Sequence, residues 1–519
     1  MKGVEVHVGL AASYVALALG GLCFVYALKY YFSTLIALSI LNPERGLTGM
    51  VIQPGALGLD YAEQPFVSVH LPFYNEANVA RRIVDACIDL DYGNYEVLVA
   101  DDSRDQTLDV LRDPEYRISR PTVKFIHRRD RGGFKGGALQ QALRYMHPDA
   151  EYVVVFDADF VPPPDIIAKF LSVFTRAEGK GKPVAAVQGY QLHYLNKNEN
   201  WLTKGIRTEY SGSYMVERVA EEALGAMKMV SGSVFMLRAD ALRSLGWTTS
   251  ITEDWELTLR LYLEGYRVVY TPLIQAAAEI PSTLSRLLRQ RMRWAEGHTY
   301  AVRRYFWRVV LSTKITTAEK LEFLYFAPYY LQSLFFMLGT ALWIVSEVYR
   351  RRPPFWTPVL GWGLVVSNLL AIPMMGLAGV FLEGDLREDY RGVLSFIAVG
   401  YLVAPYQAYA ALKGLLEGEE GTWIRTLKTG HTTDSFIGLK FRSLVHWLRG
   451  LGLTNDGGGG SASVDVPLPW VPARRLLMAA CVALMALPFM DRVPQLVEAL
   501  TRILLSGSTY AAAWRVMVG

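Results

Sequence analysis

Two aspartates separated by one residue follow a short apolar run. The pair is Asp157 and Asp159, and the run before it is Tyr152-Val-Val-Val-Phe156. Two carboxylates on one turn can place oxygens around a single hard divalent cation and leave coordination positions for diphosphate oxygens. The spacing therefore predicts a site for Mg²⁺ or Mn²⁺ that neutralises a leaving nucleoside diphosphate. A solvated turn or a helix cap ahead of three prolines explains the same residues without a metal.

A second acidic pair, Asp101 and Asp102, follows an earlier apolar run. A carboxylate in this position can orient the base or ribose of a nucleotide. A basic, glycine-rich run over 128–137 contains Lys135, which could counter phosphate charge while the glycines let the backbone approach. It is not a Walker loop, because that spacing and the terminal Lys-Ser/Thr are absent. Helix capping by the acidic stretch and a basic surface loop are the alternative explanations.

Glu253 and Asp254 follow Thr252 at the start of an amphipathic segment that runs to Leu263. Asp254 is a candidate general base that removes a proton from an acceptor hydroxyl. The first turn of a helix favours an ionised carboxylate, so the sequence predicts a lowered pKa for Asp254. The helix dipole makes acidic residues favourable there without any catalytic role, and the sequence does not separate the two explanations.

The fourth motif is Gln290-Arg-Met-Arg293-Trp294, in a stretch that also contains Arg286 and Arg289. Arginine forks bind phosphate well, and an indole face is a good platform for a sugar ring. An arginine of this stretch is therefore a candidate ligand for phosphate, and Trp294 is a candidate platform for a sugar ring. Juxtamembrane basic residues with an interfacial tryptophan are the alternative explanation.

The sequence around these motifs predicts a parallel sheet that positions them. Runs rich in Val, Ile, Leu and aromatic residues indicate strands at 66–71, 95–100, 123–127 and 152–156, with a helical stretch at 75–90. Near-continuous apolar strands that alternate with helices are typical of an α/β domain whose sheet is covered on both faces. Ligands bind at the carboxyl ends of such strands, which is where both acidic pairs lie.

Long apolar segments flank this domain, at 8–28, 32–41, 323–348, 356–382 and 471–490. About 20 apolar residues suffice to span a bilayer. A cleaved signal peptide has a shorter apolar core, so the first segment indicates a retained helix. We predict a transmembrane helix within 1–41, a cytosolic catalytic domain over 42–320, and transmembrane or interfacial helices over 321–519. The chain is thus expected to be a multi-pass protein of the cell membrane.

Charge and cysteine content exclude other classes of protein. A net charge of +4 over 519 residues argues against a nucleic-acid-binding surface. The three cysteines lack CxxC or Cys/His spacing, so neither a zinc site nor a disulfide framework is supported.

Basic residues over 425–449 favour the cytosolic side, so we expect segment 393–412 to lie along the membrane surface. Segment 493–518 is either a weak span or an interfacial helix.

The order and spacing of the four motifs, over roughly residues 60–310, resemble the family-2 membrane glycosyltransferases, the group of cellulose, mannan and hyaluronan synthases. The resemblance implies a Rossmann-like GT-A fold with a mostly parallel sheet. It implies roles for the motif residues: the nucleoside on Asp102, with or without Asp101; nucleotide and metal on Asp157 and Asp159; general base catalysis by Asp254; and the diphosphate and acceptor end on Gln290, Arg293 and Trp294.

The resemblance also covers three shorter stretches. Lys135 falls in a lysine-containing loop assigned to the donor. Ser231, Gly232 and Ser233 match a small-residue loop of the acceptor pocket, to which Glu253 is also assigned. The segment near 417–460 matches a gating loop through Trp423, Thr426 and Lys428, although Arg425 stands where that family usually has valine.

The predicted activity is an inverting transfer of sugar from a UDP- or GDP-sugar to a growing β-linked polysaccharide, coupled to its translocation. The stereochemistry is an implication of the family. A single transfer onto a membrane lipid is the nearest alternative, and a nucleotide-binding transporter or receptor is the alternative from another class. The expected partners are the donor, a polysaccharide or lipid acceptor, and membrane lipid. Neither a cyclic-dinucleotide-binding barrel nor a plant-type zinc RING is expected.

Overall fold

The computed structural model describes residues 2–41, 64–117, 121–179, 181–353, 356–384, 386–421, 430, 432 and 470–492. Three earlier predictions lie outside these ranges: the gating-loop residues Trp423, Thr426 and Lys428, the basic segment 425–449, and the segment 493–518. Within the ranges, the chain divides into two compact units. The first comprises the described residues of 1–32, 335–374 and 471–519, and the second comprises the described residues of 33–334 and 375–470.

The second unit contains one sheet formed by strands in the described ranges. They are β1 Phe66–Phe73, β2 Tyr95–Asp101, β3 Thr122–His127, β4 Ala150–Val155, β5 Phe160–Val161, β6 Val184–His193, β7 Phe235–Arg238 and β8 Arg267–Ala278. Their order across the sheet is β3-β2-β1-β4-β7-β6-β8-β5. All four strands predicted from the sequence are present.

The prediction of a parallel sheet is confirmed for its first half. Strands β1 to β4 pair in parallel, with β1 between β2 and β4. Beyond β4 the sheet is mixed, because β7 runs antiparallel to both of its neighbours and β5 antiparallel to β8. The carboxyl ends of β2 and β4 therefore flank that of β1, which brings the two acidic pairs to the same edge.

The helices in the described ranges are α1 Lys2–Ile40, α2 Ala77–Ile88, α3 Thr107–Leu111, α4 Phe134–Tyr145, α5 Ile166–Ala177, α6 Trp201–Gly212, α7 Arg218–Ala223, α8 Ala239–Leu245, α9 Glu253–Leu263, α10 Leu284–Leu311, α11 Thr317–Phe326, α12 Leu331–Val348, α13 Pro358–Glu383, α14 Leu386–Asp389, α15 Gly392–Leu416 and α16 Trp470–Ala486. A π-helical turn, Ser213–Glu217, joins α6 to α7.

Two hydrophobic clusters cover the two faces of the sheet, because successive strand side chains point to opposite faces. Val69 of β1 packs with residues of α2 and α5 on one face. Leu98 of β2 and Val153 of β4 pack with residues of α4 and α9 on the other. The motif helices α4 and α9 are thus fixed to one face of the sheet by apolar burial.

In the part of the chain that the structure describes, five helices are long and apolar enough to cross a membrane: His7–Ile40, Leu331–Val348, Pro358–Glu383, Gly392–Leu416 and Pro472–Phe489. In the first unit, the Tyr31 hydroxyl donates to the Ser367 carbonyl at 2.7 Å, and Trp343 meets Trp362 edge-on.

Helix α15, predicted to lie along the membrane surface, packs within the second unit. Its Val399 and Val403 join Leu202 of α6 and Leu287 of α10 in one apolar cluster. Gly414 near its end lies so close to α10 that a Cβ there would be 2.3 Å from the Glu296 carbonyl oxygen.

Candidate active site

The glycine-rich run folds into a tight turn and the first turn of α4. Gly133 has φ +73°, in the left-handed region that glycine adopts without strain. A Cβ on Gly136 would lie 2.1 Å from the Thr248 carbonyl oxygen, and one on Gly137 would lie 2.1 Å from the Gly132 carbonyl oxygen. The structure thus gives these two glycines a role that differs from the predicted approach to phosphate, since they let α4 pack against the 248 loop and its own preceding turn.

Lys135, at the start of α4, binds three acceptors at once. Its Nζ lies 2.7 Å from Asp157 Oδ1, 2.7 Å from the Gly232 carbonyl oxygen and 3.2 Å from Glu253 Oε1. An ammonium group has three N–H donors, so this arrangement occupies all of them. In this structure Lys135 is the counter-ion of the site carboxylates. Its contact with donor phosphate stays a prediction.

The charges around Lys135 keep it protonated. Burial alone lowers the pKa of a lysine, but the carboxylates of Asp157, Glu253 and Asp254 outweigh burial and raise the pKa of Lys135 above its usual value. Glu253 is 3% exposed and is committed to this pair. The Glu253 carboxylate is buried against Lys135, and its contact with an acceptor stays a prediction.

The Ser231-Gly232-Ser233 turn forms one wall of the site. Gly232 has φ +63°, and a Cβ on it would lie 3.3 Å from Asp254 Oδ2 and 3.6 Å from Lys135 Nζ. Ser233 Oγ accepts the Asp157 backbone N–H at 3.0 Å. A glycine here keeps open the space beside the Asp254 carboxylate, where a substrate atom could approach.

Asp254 lies in the first turn of α9, as predicted. Its Oδ1 accepts the Trp255 backbone N–H at 2.8 Å. Its pKa is raised to about 7, first by burial and then by the Glu253 carboxylate, although Lys135 and Arg293 pull in the opposite direction. The prediction of a lowered pKa is wrong, because burial and a like charge outweigh the backbone N–H of the helix start. A carboxylate that titrates near neutrality is well suited to general base catalysis.

Arg293 comes from α10 and joins the same cluster. Its Nη1 donates to the Ile251 carbonyl oxygen at 3.1 Å. Burial lowers the pKa of Arg293, whereas the negative charges of Glu253, Asp254 and Asp157 act to raise it. The Arg293 charge is therefore within electrostatic reach of these carboxylates. We call Lys135, Asp157, Glu253, Asp254 and Arg293 the site cluster.

The two remaining residues of the α10 motif are partly exposed. Gln290 lies one helical turn before Arg293. Trp294 lies against the Arg291 guanidinium, whose carbon is 4.8 Å from a ring centroid, and Arg291 in turn pairs with Glu209 at 2.7 Å. The Arg291 guanidinium thus already lies over the Trp294 ring. A sugar that packs on Trp294 would have to contact the part of the indole that Arg291 leaves uncovered.

The first acidic pair is already engaged by protein groups. Asp101 is fully buried, accepts the Ser103 backbone N–H at 3.1 Å and pairs with His127 Nδ1 at 2.8 Å. Its contact with a nucleoside stays a prediction. Asp102 pairs with both Nε and Nη2 of Arg128, at 2.6 Å and 2.5 Å. Burial raises the pKa of Asp102 despite this pair.

The predicted metal pair is only partly accessible. The Asp157 side chain is 35% exposed, whereas Asp159 is 5% exposed. Burial raises the pKa of Asp157, and the Lys135 charge opposes this shift. Among the described residues, no group of three or more His, Cys, Asp or Glu side chains could hold a metal ion by itself.

Sequence reasoning missed the residues that hold these loops. Arg128 ties Asp102 to the glycine turn through the Gly132 and Phe134 carbonyls. Gln188 of β6 accepts the Ser231 N–H through Oε1 and donates to the Ser233 carbonyl. Polar residues inside an apolar strand signal a buried hydrogen-bond network, and Gln188 could have been found that way.

Comparison with known proteins identifies the domain around this site. The model "Glycosyltransferase like family 2" matches residues 64–297, which include the whole site cluster. "Probable glucomannan 4-beta-mannosyltransferase 2" of Oryza sativa subsp. japonica is 27% identical over 71% of this chain, and the match spans 63% of that relative's length. "Glucomannan 4-beta-mannosyltransferase 7" of Arabidopsis thaliana is 28% identical over 75% of this chain and 70% of its own length.

A solved structure has the same fold. The mannosyltransferase PcManGT from Pyrobaculum calidifontis, in complex with GDP-Man and Mn²⁺, aligns with 79% of this chain and all of its own, at a TM-score of 0.52 and 20% identity. The fold is therefore a Rossmann-like GT-A fold, as the sequence predicted.

Proposed function

Because this chain is a glycosyltransferase of family 2, we propose that it transfers hexose units from a nucleotide-sugar to a growing β-linked polysaccharide. The observation that carries the proposal is that Lys135, Asp157 and Asp254 lie around Gly232, with Arg293 within electrostatic reach of Asp157 and Asp254. The names of the relatives and the donor bound by the structural neighbour support GDP-mannose as the first donor to test, beside UDP-sugars.

Asp254 is the proposed base. The acceptor hydroxyl gives its proton to the Asp254 carboxylate, its oxygen bonds to the anomeric carbon, and the bond to the nucleoside diphosphate breaks. Attack from the face opposite the leaving group inverts the anomeric configuration. Position 232 carries no side chain, and a Cβ there would lie 3.3 Å from Asp254 Oδ2. A glycine therefore avoids crowding the carboxylate, which supports this approach of the hydroxyl.

Lys135 and Arg293 are proposed to have different electrostatic roles. Lys135 offsets part of the negative charge of Asp157 and Glu253 before the donor binds. Arg293 is the proposed stabiliser of the charge that develops on the leaving diphosphate, since a preorganised buried cation acts strongly in a site of low dielectric. Gln290 and Trp294 are proposed to contact the diphosphate and the acceptor end from the same helix.

Asp157 and Asp159 would hold a divalent cation, Mg²⁺ or Mn²⁺. Two carboxylates fit such an ion, because Mg²⁺ is usually bound by one or two carboxylates together with substrate phosphates. When bound, the ion would supply positive charge to the diphosphate oxygens.

We further propose that the chain is embedded in a membrane with the catalytic unit on the cytosolic side. The five apolar helices support the embedding, and the use of nucleotide-sugars supports the side. The prediction that Trp423, Thr426 and Lys428 cover the donor belongs to this proposal, as does passage of the polymer through the membrane.

The test is transfer by the purified full chain in detergent. It is incubated with radiolabelled GDP-mannose or UDP-glucose, with Mn²⁺, Mg²⁺ or EDTA. We expect a product of high mass from one donor, formed only with a divalent ion and digested by a β-linkage-specific glycosidase. Label found only in the lipid extract would favour single transfer to a lipid. No incorporation from either of these donors or from a wider panel of UDP- and GDP-sugars would contradict the proposed activity.

A further inference from the structure

The end of α15 and the residues that follow it are bound to α10. Arg303 Nη1 donates to the Leu415 carbonyl oxygen at 2.8 Å, and the Tyr300 hydroxyl donates to the Gly418 carbonyl oxygen at 3.2 Å. Glu296 Oε1 accepts both the Gly421 N–H at 2.8 Å and Lys413 Nζ at 2.9 Å. Residues 415–421, which we call the strap, are therefore held along the helix that also carries Arg293.

From the strap, one side chain reaches the loop that precedes α9. Glu420 Oε1 accepts the Ser250 hydroxyl at 2.8 Å, and Oε2 accepts the Ile251 backbone N–H at 2.9 Å. Ser250 Oγ in turn accepts the Thr252 N–H at 3.2 Å. Both carboxylate oxygens of Glu420 thus bind the turn that ends two residues before Asp254.

The turn packs against α10 and also borders a cavity. A Cβ on Gly297 of α10 would lie 2.7 Å from the Thr252 side chain and 2.8 Å from that of Ile251, so both side chains are in tight contact with the helix. A cavity of about 310 Å³ is lined by residues that include Ser250, Ile251 and Glu420. The hydrogen bonds of Glu420 therefore add to this packing where the turn faces the cavity.

We propose that Glu420 is a positioning residue for the catalytic base, which acts by fixing the 250–252 turn and therefore the first turn of α9. The assignment of the base rests on the proposed function above. Glu420 does not touch the carboxylate of Asp254; its effect passes through Ser250 and Ile251. The Ile251 carbonyl also accepts Arg293, so the same turn joins the base to the proposed diphosphate-stabilising cation.

Two variants and a control test this proposal. Glu420→Ala removes both acceptors, Glu420→Gln keeps the shape and one acceptor oxygen, and Glu419→Gln alters an exposed neighbouring carboxylate. With GDP-mannose as the probe donor, we expect kcat of Glu420→Ala to fall by about 10-fold while the KM for GDP-mannose changes by less than about twofold. Glu420→Gln should fall between Glu420→Ala and the wild type, and Glu419→Gln should match the wild type.

Hydrogen–deuterium exchange of the donor-free protein gives a readout that does not depend on activity. Loss of the Glu420 acceptor should speed exchange in a peptide covering 248–256 by about 10-fold, since that exchange reports local opening. Glu419→Gln should leave it unchanged. Unchanged exchange in Glu420→Ala, or faster exchange with an unaltered kcat, would overturn the proposal.

A double-variant cycle tests the route through Ser250. If Glu420 acts through this hydroxyl, Ser250→Ala should lower kcat less in the Glu420→Ala background than alone. Fully multiplicative effects would overturn the route. A wild-type protein inactive with every UDP- and GDP-sugar would count against the proposed function, whereas the exchange experiment would still decide whether Glu420 fixes the turn.

Discussion

The second unit contains two buried groups of charges that differ in how completely they are paired. One is the site cluster. The other, which we call the Arg207 cluster, consists of Arg207, Glu383, Asp389, Lys197 and Tyr190. Arg207 pairs with Glu383 and with Asp389, and its Nη1 donates to the Tyr190 hydroxyl at 3.0 Å. Lys197 Nζ lies 3.1 Å from Asp389.

In the Arg207 cluster every acidic side chain contacts a cation directly. In the site cluster Asp254 accepts a backbone N–H, but no ion pair within 4 Å joins it to another described residue. The pKa values reflect this difference. Burial lowers the pKa of Arg207, but Glu383 and its neighbours raise it well above its usual value, whereas the pKa of Asp254 is raised to about 7. Complete pairing fixes a charge, and incomplete pairing leaves a group that can exchange a proton.

The largest expected effect is on transfer by Asp254→Asn. The amide keeps the shape of the side chain but cannot accept the proton, so we expect kcat to fall by about 10²–10⁴-fold. The matched control is Asp240→Asn, because Asp240 also lies in the first turn of a helix and accepts the next backbone N–H, at 2.7 Å, yet is exposed. Equal loss in both variants would indicate that Asp254 is only a helix-capping residue.

Next in size is the loss of stability expected for Arg207→Met. The change leaves Glu383 and Asp389 buried beside an apolar side chain, so the free energy of unfolding should fall by about 3–5 kcal/mol. Arg81→Met breaks the exposed Arg81–Asp113 pair and should lower the free energy of unfolding far less, because solvent screens that pair. Denaturant unfolding in detergent measures both. Similar values for the two variants would contradict the view that the Arg207 cluster is a structural element.

A third prediction concerns the pH dependence of kcat in the wild type. Asp254 must be ionised to accept a proton, so activity should be present above its pKa and decline as pH falls through about 7. We expect an acidic limb with a slope of one proton. A rate that stays flat from pH 8 down to pH 5 would exclude Asp254 as the group that limits the reaction.

The smallest effect is expected on the position of that limb. Glu253 raises the pKa of Asp254, so Glu253→Gln should shift the limb to lower pH. Lys135 lowers the pKa of Asp254, so Lys135→Met should shift the limb to higher pH. The two variants serve as controls for each other, because general damage to the site would move both limbs in one direction or neither.

The local sequence pattern was sufficient to predict the strands and the helix that carry the acidic motifs. The four predicted strands are present within two residues of their expected bounds, and Glu253–Leu263 is helical as predicted. The strands β5 to β8 were not predicted. The pairing of β7 with β4 and β6 joins segments far apart in the chain, and that choice depends on packing more than on local propensity.

The functional site, like the fold, could be predicted from the sequence only in part. Residue types and spacing identified Lys135, Asp157, Asp254 and Arg293 as chemical groups, but they did not reveal which of them contact one another. The sequence did not indicate that Lys135 and Glu253 contact each other, which the structure shows. Glu420 had no signal in the sequence, because its partners lie 169 and 170 residues away.

The sequence by itself determined the class of reaction, the sheet that carries the acidic pairs, and the apolar helices, since each depends on residue type and short-range periodicity. Only the tertiary structure decided the protonation of Asp254 and the pairing of Lys135. Both depend on burial and on charges brought together from distant parts of the chain, and a charge within a few ångströms in a medium of low dielectric outweighs the local preference of a helix end.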